Sequence, residues 1–221
     1  MKQRLALGML ALTMAACRAP VRPATQPSPA TGTVEDLVSA IASDAKRSDH
    51  ESDAQVRARL AEDASRDAQA CLASAPQAAA CLYGRAVAQG LEARAHPTRA
   101  GELLNSMLES LSSAEAADPH YDYAGPARVR SLVLVRAPGW PLGPGDPEAG
   151  LAAARRAVAL QPAYPANLLA LAEALAKNGD AKGARENYDR ASEAARALPV
   201  SADRDDWLRE AAEGAQHTRA D

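Results

Sequence analysis

Residues 165–193 read PANLLALAEALAKNGDAKGARENYDRASE, and the whole fold assignment grows from this stretch. Leu168, Leu171 and Leu175 recur at i, i+3 and i+7, the apolar stripe of an amphipathic helix. Asn178-Gly179-Asp180 stops that helix, with glycine supplying the left-handed residue that a helix end favours. A second helix then carries Ala184, Tyr188 and Ala191 on one face. Ala172 and Ala184 are expected where the two helices approach each other, and Tyr188 is expected to fill the space toward the next hairpin. Thirty-four residues upstream, Gly150, Ala154 and Ala157 hold the positions of Ala184, Tyr188 and Ala191, followed by Leu160 and Pro162.

A 34-residue period with this distribution of small and large residues resembles the tetratricopeptide repeat. It predicts an all-α chain built as a right-handed α-solenoid of about four helical hairpins. Working outward, residues 124–136 and 146–160 form the preceding hairpin, interrupted by APGWPLGPG at 137–145, whose three prolines and three glycines exclude helix. Asp146-Pro147-Glu148 is a good helix start. Residues 78–95 and 98–117 read as another antiparallel pair, with Tyr83, Gly84 and Val87 facing Leu104, Met107 and Leu111. Residues 34–48 and 52–74 form a weaker pair, and 201–217 a capping helix with Trp207 and Leu208 inward.

Composition agrees. Of 221 residues, 55 are alanine and only seven are aromatic, with no phenylalanine. Alanine favours helix and disfavours strand, so the core is one of closely approaching helices. The formal net charge is −3, and no stretch concentrates basic residues with aromatics, which argues against a nucleic-acid partner.

The first residues read as an address. Lys2 and Arg4 precede the apolar run LALGMLALTMAA at 5–16, too short to span a bilayer, which ends at Met14-Ala15-Ala16-Cys17. This resembles a bacterial lipobox with Met in place of the usual leucine, so residues 1–16 are expected to be a signal peptide and Cys17 the lipidated N-terminus. Residues 18–33 (RAPVRPATQPSPATGT) hold four prolines among small polar residues, the composition of an extended tether. Arg18 stands where an aspartate would mark inner-membrane retention, so the anchor is expected in the outer membrane of a Gram-negative bacterium, with the domain of residues 34–221 facing the periplasm. In that oxidising compartment Cys71 and Cys81 are expected to pair as a disulfide; the other reading is two buried thiols acting as small hydrophobes.

The segment DPHYDYAGPARVRSLVLVRAPGWPLGPGDPEAGLAAARRAVALQPAYPANLLALAEAL, residues 118–175, resembles the lipoprotein family that includes the T component of tripartite ATP-independent periplasmic (TRAP) transporters. Gly125-Pro126-Ala127-Arg128, the Ala137-Pro138-Gly139-Trp140-Pro141 loop and the Gly145-Asp146 helix start carry the resemblance. It implies a lipid-anchored periplasmic helical protein; some members associate with a solute-binding protein, form trimers and pass a hydrophobic ligand. Tyr121, Tyr123, Arg128, Trp140 and Asn167 cluster in the irregular part of the chain and are the candidate ligand or partner surface. Their structural alternatives are Trp140 plugging a hairpin end, Asn167 capping a helix that begins at Leu168, and the two tyrosines packing as a helix lead-in.

Catalytic patterns are missing. His50, His96, His120 and His217 are scattered, without metal-ligand spacing, and there is no Gly-x-Ser-x-Gly elbow. Asp118 and His120 have no serine or cysteine placed to complete a triad. Neither enzyme activity nor a metal or cofactor is expected. The expected role is a protein-interaction scaffold, and the alternative is a TRAP T-component-like accessory that handles a small hydrophobic solute.

Overall fold

The computed structural model describes residues 32–218. The proposed signal peptide, Cys17 and the tether up to Thr31 therefore lie outside the described residues. Within them the chain is all-α: α1 (Val34–His50), α2 (Ala54–Ser74), α3 (Ala79–Ala95), a 3-10 turn (Pro97–Arg99), α4 (Ala100–Ala117), α5 (Tyr121–Arg136), α6 (Pro147–Leu160), α7 (Pro165–Lys177), α8 (Ala181–Arg196) and α9 (Ala202–His217).

Local chemistry sets these boundaries. Thr33 and Asp36 form a reciprocal capping box at the start of α1. The side chains of Asp53, Asp146, Asp180 and Ser201 each accept backbone N–H groups at the starts of α2, α6, α8 and α9. Each such cap satisfies N–H groups that the first turn of a helix otherwise leaves without a partner. Pro147 and Pro165 occupy first-turn positions, where a missing N–H costs nothing. Gly179 takes φ +83° between α7 and α8, the left-handed turn expected there.

Each helix packs on the next, and the odd-numbered helices also pack on one another in order, α1 on α3, α3 on α5, α5 on α7 and α7 on α9. Even-numbered helices pack mainly on odd-numbered ones, and α4 and α6 meet through the Glu115–Arg156 ion pair. The odd helices thus form one layer and the even helices a second. Alanines fill the crossings: Ala64, Ala86, Ala154, Ala172, Ala184 and Ala191 are fully buried. The largest apolar cluster joins Val135, Leu168, Leu171, Leu175 and Tyr188 with Ala211 of α9. Gly214 lies against the Tyr188 ring, so Tyr188 does fill the space between α8 and α9. Ala211, rather than Trp207 or Leu208, is the fully buried residue of α9; Trp207 is partly buried against the same cluster.

Two details depart from the sequence reading. Gly84 faces α1 instead of α4: a Cβ there would sit 3.0 Å from the Ile41 Cδ1. Trp140 plugs nothing and is 90% exposed. Its loop is held from within, as the Gly145 N–H donates to the Pro138 carbonyl (2.9 Å) and the Asp146 N–H to the Leu134 carbonyl (2.9 Å), which turns the tryptophan outward. Cys71 at the end of α2 is bonded to Cys81 at the start of α3, with Cα atoms 5.3 Å apart. Far apart in the chain, Lys46 of α1 donates to Asp203 of α9 at 2.7 Å.

Candidate binding groove

The start of α5 is strained. Asp122, Tyr123 and Ala124 take φ values of 48°, 53° and 65°, three consecutive left-handed residues without a glycine. Helix was expected from residue 124; the regular right-handed path begins only at Gly125, because this reversed turn precedes it. Left-handed conformation costs roughly 1–2 kcal/mol per residue, so the turn persists only if its surroundings hold it.

Arg128 and Asn167 do the holding. The Arg128 Nη1 donates to the carbonyls of Asp122 (3.1 Å) and Tyr123 (3.4 Å) and to the Asn167 Oδ1 (3.1 Å). Its Nη2 pairs with the Asp122 carboxylate at 2.6 Å. The Asn167 amide donates to the carbonyls of Tyr123 (3.0 Å), Ala157 (3.2 Å) and Gln161 (3.3 Å). The Tyr83 hydroxyl donates to Asp122 (3.1 Å) and the Arg128 guanidinium lies 5.3 Å from the Tyr164 ring centre. Burial opposes the Arg128 charge, but Tyr83, Asp122 and Tyr164 outweigh it and hold its pKa above the ordinary arginine value. Burial pushes the hydroxyls of Tyr83, Tyr121 and Tyr164 above the usual tyrosine range, so Tyr83 keeps the proton that it donates to Asp122.

The clamp places Tyr123 where it stacks on Tyr164, with ring centres 4.5 Å apart and planes 7° from parallel. Tyr164 in turn meets Trp207 edge-on at 5.4 Å. Between these rings and Pro162, Pro199 and Leu198 opens a groove of about 640 Å³, with Ser201 and Asp203 at its polar edge. On the other side of the clamp Tyr121 meets Tyr83 edge-on, so five of the seven aromatic residues gather at this end of the odd-helix layer. A second, more apolar trough of about 530 Å³ runs over Val87, Leu91, Leu104, Met107, Leu132 and Val133, with Arg94 and Arg136 at its rim.

The residues singled out from sequence separate into three kinds. Tyr123 is exposed and forms a groove wall, whereas Tyr121 packs edge-on against Tyr83 beside it. Arg128 (9% exposed) and Asn167 (0%) are not surface groups. They are buried supports, and Asn167 does not cap a helix at Leu168, because α7 already begins at Pro165. Trp140 lies beyond the far end of α5 and belongs to neither. Sequence reading missed Tyr164 and the groove role of Trp207, along with Tyr83 and Asp122 as clamp members. The available signal was scarcity: Tyr121, Tyr123 and Tyr164 each stand at or just before the start of an odd-numbered helix.

Among the described residues no group of three histidine, cysteine or carboxylate side chains is arranged to hold a metal ion. Nor is any described helix long and apolar enough to cross a membrane. Compared with known proteins, the chain matches no family model and no curated sequence.

Proposed function

We propose that this protein is a non-enzymatic, tetratricopeptide-like helical scaffold, anchored by lipid at Cys17 in the outer membrane and facing the periplasm, that holds an extended segment of a protein partner. The packing of odd helices on odd helices supports a solenoid. The lipobox-like run at 5–17 and the proline-rich tether support the anchor. The observation that carries the binding role is the Tyr123–Tyr164–Trp207 groove, whose first wall is set by a turn that the chain is strained to adopt. Aromatic faces give large contact area at low entropic cost, and a rigid mounting reduces what binding must pay.

The test uses the chain with Cys17→Ser, which removes lipidation, and a phage-displayed library of random short peptides. Selected peptides are then titrated in solution against this chain and its Trp207→Ala variant. At least a tenfold weaker Kd in the variant is expected, within the range of a removed aromatic anchor. Selection of no peptide, or equal affinity for both proteins, overturns the proposal.

The apolar trough favours a second reading, a TRAP T-component-like accessory that carries a small hydrophobic solute to a periplasmic binding protein. Native mass spectrometry of the same protein decides it: a homotrimer with extra small-molecule mass supports this reading, and a bare monomer counts against it.

A further inference from the structure

Resting on the groove reading above, we propose that the groove is occupied in the free protein by its own tether, through the segment Pro20-Val21-Arg22-Pro23, so that a partner must displace it. This is a P-x-x-P sequence, and in a polyproline II helix of three residues per turn both prolines fall on one edge. Such an edge docks on aromatic- and proline-lined grooves, and the rings of Tyr123, Tyr164 and Trp207 with Pro162 and Pro199 make one.

Position and reach agree. Val34 and Leu37, at the start of α1, pack around the Cys71–Cys81 bridge at the start of α3. Half a turn further along α3, Tyr83 bonds Asp122 at the start of α5, and the next residue, Tyr123, stacks on Tyr164 beside α7. The chain upstream of Thr33 therefore leaves the fold at the start of α1, on the side of the helix starts that carry Tyr123 and Tyr164, while the groove's Asp203 edge reaches Lys46 near the other end of α1. Three helix-to-helix steps, from α1 to α7, span about 27 Å at 8–10 Å each. Pro23 and Pro20 lie ten and 13 residues before Thr33. At about 3.1 Å per residue that is roughly 31 and 40 Å of polyproline chain, enough to lay the motif in the groove.

Residues 18–33 carry Arg18 and Arg22 and no acid. The groove's polar edge carries the Asp203 carboxylate, which it shares with Lys46. A tethered segment experiences an effective concentration of about 1 mM, so a segment with an intrinsic Kd of about 0.1 mM would be docked roughly ten times as often as not.

Two measurements on the Cys17→Ser chain test this. In the first, a photo-cross-linking residue replaces Thr25, and adducts are mapped by mass spectrometry. Adducts within one chain to residues 198–207 or to Tyr164, lost when Pro20, Pro23, Pro27 and Pro29 are all changed to Ala, are expected. Adducts between two chains assign the groove to a second copy, and adducts elsewhere or none leave it without the tether; either overturns the inference. In the second, a synthetic peptide of residues 18–31 is titrated against the chain and its four-proline variant. About tenfold tighter binding to the variant is expected. Equal affinity overturns self-docking while leaving the groove reading intact. Failure of this peptide and of library peptides to bind either protein removes the groove reading together with it.

Discussion

Asp122 is the residue on which the groove depends most directly. Its carboxylate neutralises a nearly buried guanidinium, and its backbone carbonyl is gripped by the same group. Asp122→Ala should therefore cost about 1.5 kcal/mol in chemical denaturation, the low end for a lost hydrogen bond to a charged group, because the carboxylate itself is partly exposed. A loss under about 0.5 kcal/mol would mean that Arg128 is solvated well enough to need no partner. A different carboxylate group lies between α1 and α2. Burial raises the Asp67 pKa, with Asp63 reinforcing and Arg66 opposing; burial also raises that of Asp44, with Arg47 opposing and Asp63 and Asp67 reinforcing. A raised folded-state pKa means that the folded protein holds this proton more tightly than the unfolded chain does. Ionisation thus costs stability above the folded-state pKa, and the cost disappears as pH falls below the ordinary aspartate value. Asp67→Asn should raise the melting temperature at pH 7 and leave it unchanged at pH 3. No gain at pH 7 would show Asp67 to be effectively solvated. At this scale the sequence was only partly legible. Arg128, Tyr123 and Asn167 could be suspected from irregular spacing, but which of them would be buried depends on Asp122, 39 residues from Tyr83 and close to it only after folding.

Elements were more legible than residues. Helix limits follow from caps, prolines and the glycine at 179, each acting within a few residues, so local sequence carried that information. The start of α5 escaped because a left-handed turn without glycine has no local signature; it exists only while Arg128 and Asn167 grip its carbonyls. Gly84 was assigned to the wrong neighbour for a related reason. Small residues mark close approach without saying which helix approaches. The Cys71–Cys81 bridge joins α2 to α3 across ten residues of separation. On the chain-entropy account, closing such a loop stabilises by about 2–3 kcal/mol. Reduction should lower the unfolding free energy by that amount and speed hydrogen exchange first near the start of α1, where Val34 and Leu37 pack on the bridge. Exchange that rises uniformly along the chain would mean that the bridge acts on the unfolded state alone.

Across the whole molecule, the repeat period announced stacked helices, but nothing in it announced that the first and last helices would meet. Lys46 to Asp203 is the one hydrogen-bonded link between α1 and α9 among the described residues, and both side chains are more than half exposed. Asp203→Lys should raise the radius of gyration measured by X-ray scattering, and Lys46→Asp combined with it should restore the compact value. An unchanged radius in the single variant would show that packing along the chain alone sets the curvature. Solution ionic strength should act in the same direction as the single variant. The weakness of this link has its own consequence. An exposed ion pair of this kind holds its two helices only loosely. The closure of the two ends on each other is therefore the part of the fold most readily released by salt or by reversing a single charge, like a latch on an otherwise packed frame.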